Sequence, residues 1–346
     1  MRKHLNTLYV TTEGAWLYKD GANIVMSVDR QDLARLPVHM LQGLVCFGRV
    51  MISPPLLGYC AEQKICVSFF TSYGKFLARV EGPVSGNVLL RRAQYRAADD
   101  PARCAAIVRS TLVGKLHNQR VVVARGLRDH ASKLLEDEKA KLEHAHRRIK
   151  RIISVLPHIE SIDLMRGHEG EAAQAYFGVF DFLIRAPDPA LRFHGRNRRP
   201  PLDAINALLS FLYTLITHDC RSALESVGLD PAVGFLHRDR PGRPSLALDL
   251  AEEFRALLAD RLALTLINRR QISSRDFRHM DSGAVLLKDD ARKIVLTAYQ
   301  ERKNEELIQP FLDEKVAIGL LPFIQAQLLA RHLRSDLDAY PPFLWK

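Results

Sequence analysis

Two carboxylates and one imidazole, Glu169, His237 and Glu252, stand in three compact settings. These are Arg166-Gly167-His168-Glu169-Gly170, Gly234-Phe235-Leu236-His237 and Leu248-Asp249-Leu250-Ala251-Glu252-Glu253-Phe254. An oxygen-rich set with one nitrogen suits Mg²⁺ or Mn²⁺ better than Zn²⁺ or an iron–sulfur cluster. In a basic chain such a set points to metal-assisted chemistry on a phosphodiester. Asp249 and Glu252 are three residues apart and share one face of a helix, which Arg255 continues one turn on. Glu253 is turned about 100° away and is expected toward solvent or a partner. Glu169 follows Gly167 and is expected to open a helix, where a carboxylate gains from the macrodipole. His237 falls in a loop between Gly234 and Pro241, close enough in sequence to Glu252 for loop and helix to fold back on each other. Spacing alone admits a plainer reading: a helix-start acid, a solvated face and a histidine satisfied by a backbone carbonyl.

The chain carries 50 Lys and Arg against 39 Asp and Glu, a net charge of +11. A polyanion is therefore the leading class of partner. Arg238, Arg240 and Arg243 follow the histidine directly, and Arg192, Arg196, Arg198 and Arg199 form a second cluster. Both are candidates for phosphate contacts, as is Arg255. A third cluster, Arg147-Arg148-Ile149-Lys150-Arg151 behind His144 and His146, reads as a solvated helix face or a subunit contact. Tyr213 is a candidate for touching a DNA end, with a core or hydrogen-bonded tyrosine as the equal alternative.

With 47% hydrophobic residues over 346 positions, the chain can bury a large core in about two domains. The cysteines number five and none has CxxC spacing, which argues against a disulfide framework or a zinc ribbon. They read as buried apolar residues in a reducing cytoplasm. No apolar run of signal-peptide length follows Arg2 and Lys3. The longest uncharged stretch, 204–218, contains Asn206, Ser210, Tyr213 and Thr214 and is too short and polar to span a bilayer, so no membrane is expected.

Residues 1–85 read as an N-terminal β-rich domain. Strands are expected at Thr7–Thr12, Leu44–Phe47, Ile65–Phe70 and Lys75–Val80. A hairpin is expected where Asp20-Gly21 separates two apolar runs. Ser53-Pro54-Pro55 predicts an N-capped helix start. Residues 86–346 read as a larger all-α domain, so the fold class is α+β. Helices are expected at Leu89–Ala98, Pro101–Arg125, His130–Val155, Glu169–Ile184, Leu202–Val227, Leu248–Asn268, Arg292–Glu306 and Lys315–Leu333, with 204–216 as a buried core helix. The Tyr340–Trp345 tail reads either as docked on its own domain or as a partner-binding segment.

Several separated motifs, in order, resemble a known family. They are Leu5-Asn6-Thr7-Leu8-Tyr9-Val10-Thr11, Cys46-Phe47-Gly48, Ser53-Pro54, the segment 82–94 and Arg166 to Gly170. Arg199-Pro200-Pro201, Asp203, Asn206 to Ser210, Tyr213, Gly234 to His237 and Leu248 to Phe254 complete the set. On these residues the chain resembles the CRISPR-associated adaptation integrases, also described as endonucleases, that acquire new spacers, in particular their subtype I-C branch. The resemblance implies an N-terminal β domain that dimerises and a C-terminal helical domain that binds DNA and carries one divalent-metal site. It also implies a homodimer, and a small CRISPR-associated partner dimer bridging two copies of it. The substrates implied are double-stranded DNA fragments and the CRISPR repeat, joined by attack of a 3′-hydroxyl on a phosphodiester. It carries the family's glutamate onto Glu169, its histidine onto His237 and the last acid of its Asp-x-x-acid motif onto Glu252, where many members have Asp. Asp249 then reads as an acid behind the ligands or an outer ligand, while His168 and Glu171 are not carried over. A stand-alone metal-dependent nuclease acting on branched DNA in repair is the alternative, and a DNA-binding scaffold without activity is the third reading.

Overall fold

The computed structural model describes residues 6–63, 65–74, 76–80, 82, 88–197 and 200–346, so Arg2, Lys3, Arg198 and Arg199 lie outside the described residues. The chain falls into two compact units, Met1–Ser85 with Leu287–Asn304, and Gly86–Leu286 with Glu305–Lys346.

The first unit is built on β1 (Asn6–Val10), β2 (Trp16–Asp20), β3 (Asn23–Val28), β4 (Gln31–Pro37), β5 (Leu41–Phe47), β6 (Met51–Ile52), α1 (Pro54–Glu62), β7 (Cys66–Phe70) and β8 (Phe76–Val80). One sheet runs β1-β5-β7-β8 and the other β4-β3-β2-β6. The β1/β5 and β5/β7 pairs are parallel, which is why β5 and β7 are continuous apolar runs rather than alternating ones. The Asp20-Gly21 hairpin forms as expected, with Gly21 at φ +57°. Ser53 caps α1, its Oγ accepting from Leu56 N at 3.4 Å. Leu17, Ile24, Leu44, Cys46, Leu56, Cys60 and Val67 meet in the core. Burial pushes the Cys46 thiol up to about 12 and the Cys60 thiol up to about 11, so both remain protonated packing groups. In this unit the sequence reading lacks the two-residue β6 and the longer β4. The β4 side chains are mostly exposed, so it shows no buried alternation to read.

The second unit is largely helical. It contains α2 (Val88–Asp99), α3 (Pro101–Asp129), α4 (Glu136–Val155), α5 (Ile162–Gly178), α6 (Ala204–Val227) and α7 (Ser245–Phe254). A π-helical stretch, Arg255–Asp260, leads from α7 into α8 (Arg261–Asn268). A short hairpin follows, β9 (Phe277–His279) with β10 (Val285–Leu287). Helix α9 (Asp289–Asn304) belongs to the first unit, where the Arg292 guanidinium lies 5.8 Å over the Phe47 ring; a division at residue 86 counts it with the helical portion instead. A second hairpin, β11 (Glu306–Gln309) with β12 (Glu314–Ala317), precedes α10 (Leu321–Leu333). Asp100 sets the start of α3 by accepting from Ala102 N and Arg103 N at 2.9 and 3.2 Å. Helix α6 is buried along most of its length and packs on α7 and α10.

Three helix starts differ from expectation by several residues, and α4 begins at Glu136 rather than His130 because 130–134 form a turn after α3. Helix α5 begins at Ile162, capped by Ser161, so Glu169 sits in its second turn rather than at its opening. Gly167 suggested an opening there, but an added Cβ at it would meet nothing within 4 Å, and it is an ordinary helical position. Lys315 lies in β12, and the last helix begins only at Leu321. Among the described residues no helix is long and apolar enough to cross a membrane.

Candidate functional site

Asp249, on α7, organises the loop that carries His237. Its Oδ2 accepts from Phe235 N at 2.7 Å and Leu236 N at 3.0 Å, and its Oδ1 accepts from His237 N at 3.0 Å. The same Oδ1 stands 2.6 Å from His237 Nδ1. A proton on Nδ1, donated to the carboxylate, leaves Nε2 as the nitrogen with a free lone pair. Nε2 lies 3.9 Å from Glu252 Oε1. The loop can approach this closely because residue 234 is glycine: a Cβ there would come within 2.8 Å of the Ser245 backbone and 2.9 Å of Asp249 Oδ2.

Two further clamps fix the loop. Arg166, on α5, donates to Leu236 O from Nε at 3.0 Å and from Nη2 at 2.6 Å, which ties the helix bearing Glu169 to the histidine loop. Gln94, on α2, donates to Asp230 O and Val233 O, both at 2.8 Å, and accepts from Asp230 N at 2.9 Å.

Glu252 is 3% exposed and meets two cations. Arg255 Nη1 pairs with its Oε1. Lys115 Nζ, from α3, lies 2.9 Å from Oε2, an ion pair rather than an aligned hydrogen bond. The same ammonium pairs with Glu169 Oε1. Burial would raise the Glu252 carboxyl, but Arg255, Lys115 and His237 outweigh it and hold the group down at about 2. Burial would likewise lower Lys115, and Glu252 and Glu169 raise it instead. Lys115 was missed by the sequence reading. Its signal was a lysine on the buried stripe of α3, in line with Val108, Leu112, Asn118 and Val122.

As the side chains stand, no three His, Cys, Asp or Glu residues among the described ones are grouped tightly enough to hold an ion. The donor chemistry nonetheless fits a hard divalent cation. Two carboxylates share the Lys115 charge, and the His237 imidazole lies with its Nε2 3.9 Å from one of them.

The remaining candidates are placed differently. Arg238 and Arg240 are exposed and Arg243 is half-buried, with Arg238 Nη2 3.1 Å from Asp163. Arg255 is turned inward onto Glu252. Arg196 donates from Nη1 to Asn206 Oδ1 at 2.6 Å and from Nη2 to Ser210 Oγ at 3.2 Å. Tyr213 lies between the two guanidiniums, 5.2 Å from Arg196 and 4.9 Å from Arg255, and donates its hydroxyl to Asp260 at 2.6 Å. Tyr176 donates to the other Asp260 oxygen at 2.8 Å, and burial pushes this carboxyl up to about 6. Asp260 closes the π-helical stretch, a local widening that recurs at functional sites. The 147–151 cluster lies on α4 with its basic side chains exposed; Arg148 pairs with Glu171 at 2.9 Å.

Glu253 does not face solvent as the helical wheel suggested; it is fully buried. The Tyr340–Trp345 tail covers it. Tyr340 donates its hydroxyl to Oε1 at 2.5 Å, Phe343 N to Oε2 at 2.7 Å and Gln325 Nε2 to Oε2 at 3.2 Å. Asn118 Nδ2 donates to Glu253 O and to Phe343 O, and Asn118 Oδ1 accepts from Trp345 N at 2.8 Å. The tail therefore docks on its own unit, between α3 and α7.

The comparisons with known proteins agree with one another. The family described as "CRISPR associated protein Cas1" matches residues 8–301. A "CRISPR-associated endonuclease Cas1 1" from Chlorobaculum tepidum is 57% identical over 346 residues, all of both chains. A "CRISPR-associated endonuclease Cas1 2" from Rhodospirillum rubrum is 58% identical over 347 residues, again all of both. Among solved structures, a CAS1 protein from Thermotoga maritima has a TM-score of 0.79 at 22% identity, covering 95% of this chain and 97% of that one. A casposase bound to integration product has a TM-score of 0.83 at 22% identity, covering 99% and 94%. On the family match over 8–301 and the identity of full-length relatives, the chain belongs to the Cas1 family of CRISPR-associated proteins.

Proposed function

We propose that this chain is a DNA endonuclease and integrase of CRISPR adaptation, dependent on Mg²⁺ or Mn²⁺, which inserts DNA fragments into a repeat array. The observation that carries this reading is the junction of α3, α5, α7 and the 234–237 loop. There Glu169 and Glu252 pair with the buried Lys115 ammonium, and the Asp249-oriented His237 stands with its Nε2 3.9 Å from Glu252. The finer parts of the reading rest on the sequence resemblance. They are the subtype I-C branch, a cytoplasmic homodimer, its bridging by a small CRISPR-associated partner dimer, and double-stranded DNA as fragment and repeat.

Glu169, Glu252 and His237 Nε2 would hold the cation, which when bound polarises the phosphoryl oxygen and stabilises developing charge. Asp249 holds the imidazole in the tautomer that presents Nε2 and restrains the ring from rotating. Arg255 keeps Glu252 ionised in its buried position. In the joining step the 3′-oxygen of the fragment bonds to phosphorus as the bond to the repeat strand's 3′-oxygen breaks; the attacking hydroxyl's proton leaves to solvent, and the departing 3′-oxygen takes one up from solvent. With water as nucleophile the same site cuts DNA. No side chain need form a covalent intermediate.

The test is an integration assay with labelled fragments bearing free 3′ ends, a plasmid carrying the repeat, Mn²⁺ or Mg²⁺, and the small partner protein. Label joined to the plasmid and lost in both Glu169→Ala and His237→Ala is the expected result. Metal-dependent cutting without joining, even with the partner present, would replace it with the repair-nuclease reading. Full activity in Glu169→Ala would overturn the site.

DNA binding is expected to weaken steeply with salt. Replacing Arg238, Arg240 and Arg243 by alanine should weaken binding uniformly across sequences. It should also reduce the log–log salt slope by about 1 for each phosphate that is no longer neutralised. A slope unchanged in the triple variant would place the phosphates elsewhere.

A further inference from the structure

Lys115 is 6% exposed and comes from α3, which supplies none of the proposed ligands. Its ammonium pairs with Glu169 from α5 and Glu252 from α7 at once. It thus occupies the electrostatic role that a cation between those two carboxylates would take. We infer that Lys115 is a built-in counter-cation of the site, exchanged for the divalent ion when the ion binds. This inference rests on the metal-dependent reading proposed above.

The charge balance requires such an exchange. Two buried or half-buried carboxylates from different helices repel each other unless a cation lies between them. Between Glu169 and Glu252 Lys115 supplies that cation, and Arg255 neutralises the other oxygen of Glu252. A dication arriving between the acids while the ammonium stays would place three positive charges within a few ångströms of one another in a poorly solvated site. Lysine suits the exchange because its charge is compact, strongly hydrated and carried on a flexible four-carbon stem. Arg255 is held differently: its guanidinium also lies against the Tyr213 ring, so it stays with Glu252 when Lys115 leaves. Lys115 therefore keeps the two acids together, and by competing with the ion it lowers the site's affinity for it.

Mn²⁺ binding to the full chain, measured by calorimetry or by the loss of free Mn²⁺ signal in electron paramagnetic resonance, tests this without any turnover. Wild type should bind and Glu169→Ala should not; equal binding by both would overturn the metal reading itself. Given that difference, Lys115→Met should bind Mn²⁺ about tenfold or more tightly than wild type, because the competing charge is gone. Lys115→Arg, which keeps the charge, should not tighten. Lys115→Met binding that equals or falls below wild type would overturn the exchange while leaving the metal site standing. A second measurement needs no variant of Lys115. Acylation of lysines in wild type by an N-hydroxysuccinimide ester, mapped by mass spectrometry, should rise at Lys115 as Mn²⁺ saturates the site. The rise should be absent in Glu169→Ala. Reactivity of Lys115 that is flat across the Mn²⁺ titration would overturn the proposal.

Discussion

Replacing Asp249 by alanine is expected to cost more stability than any other substitution at the site and to remove activity with it. The Asp249 carboxylate accepts from three consecutive backbone N–H groups, of Phe235, Leu236 and His237, and from the His237 ring. Each buried donor left without a partner costs about 1–3 kcal/mol. Losing three should therefore cost at least about 3 kcal/mol, read as a fall in the denaturant midpoint at constant slope. Activity falls for a separate reason: the imidazole loses the bond that sets its tautomer and its direction. Asp249→Asn separates the two effects. It preserves volume and one acceptor oxygen, but turns an amide against donors. Removing such an orienting partner typically costs about 10–100-fold in metal affinity or activity. An Asp249→Asn protein with wild-type Mn²⁺ affinity would show that Asp249 serves the loop and not the histidine.

Glu253→Gln is expected to stabilise the protein at pH 8 and to flatten its stability between pH 5 and 8. Burial pushes the Glu253 carboxyl up from 4.5 to about 7, against the pull of Tyr340, Phe343 N and Gln325. A carboxyl raised in the folded state binds its proton more tightly there than in the unfolded chain. Its contribution is therefore fully present below about pH 4.5 and is lost as pH rises through about 7. A rise of this size corresponds to about 3 kcal/mol. Asp260, raised to about 6, adds loss of the same sign over a lower and partly overlapping range. Glu252, held at about 2, acts oppositely: its contribution is lost only as pH falls from 4.5 toward 2, outside this window. Glutamine at 253 removes the ionisation while keeping one oxygen for Phe343 N and Gln325 and an amide for the Tyr340 oxygen. Urea midpoints at pH 5 and pH 8 check this, and a pH dependence as steep as wild type would show that Glu253 ionises freely in the fold. Glu253→Ala, which leaves a void and orphaned donors under the tail, should destabilise at both pH values.

Much of the architecture is legible because its signals are local. Asp20-Gly21 turns β2 into β3 within a few residues, Ser53-Pro54 starts α1, and Asp100-Pro101 starts α3. The long uncharged and mostly apolar run 204–218 marks α6, which is buried along most of its length. The misreadings also have local causes. Gly167, which nothing crowds, suggested a helix opening at Glu169, although α5 runs through it. The exposed edge strand β4 and the short hairpins β9/β10 and β11/β12 are too brief or too polar to show a period.

Sequence by itself determined the α+β order of elements, the basic charge, the family resemblance and the presence of two acids and a histidine with the right chemistry. Only the tertiary structure decided what stands around them. Lys115 and Glu169 are 54 residues apart, Asn118 and the Glu253 carbonyl 135, and Phe343 and the Glu253 carboxylate 90. Asp249 gained its role as anchor of the histidine loop because a glycine let the loop close onto α7. Glu253 went into the interior because the tail folds over the face of α7 that a helical wheel assigns to water. Turns, caps and helical periods are written over a few neighbouring residues, within reach of local sequence. The partner of a buried charge is whichever side chain packing brings beside it, and no spacing along the chain encodes that meeting.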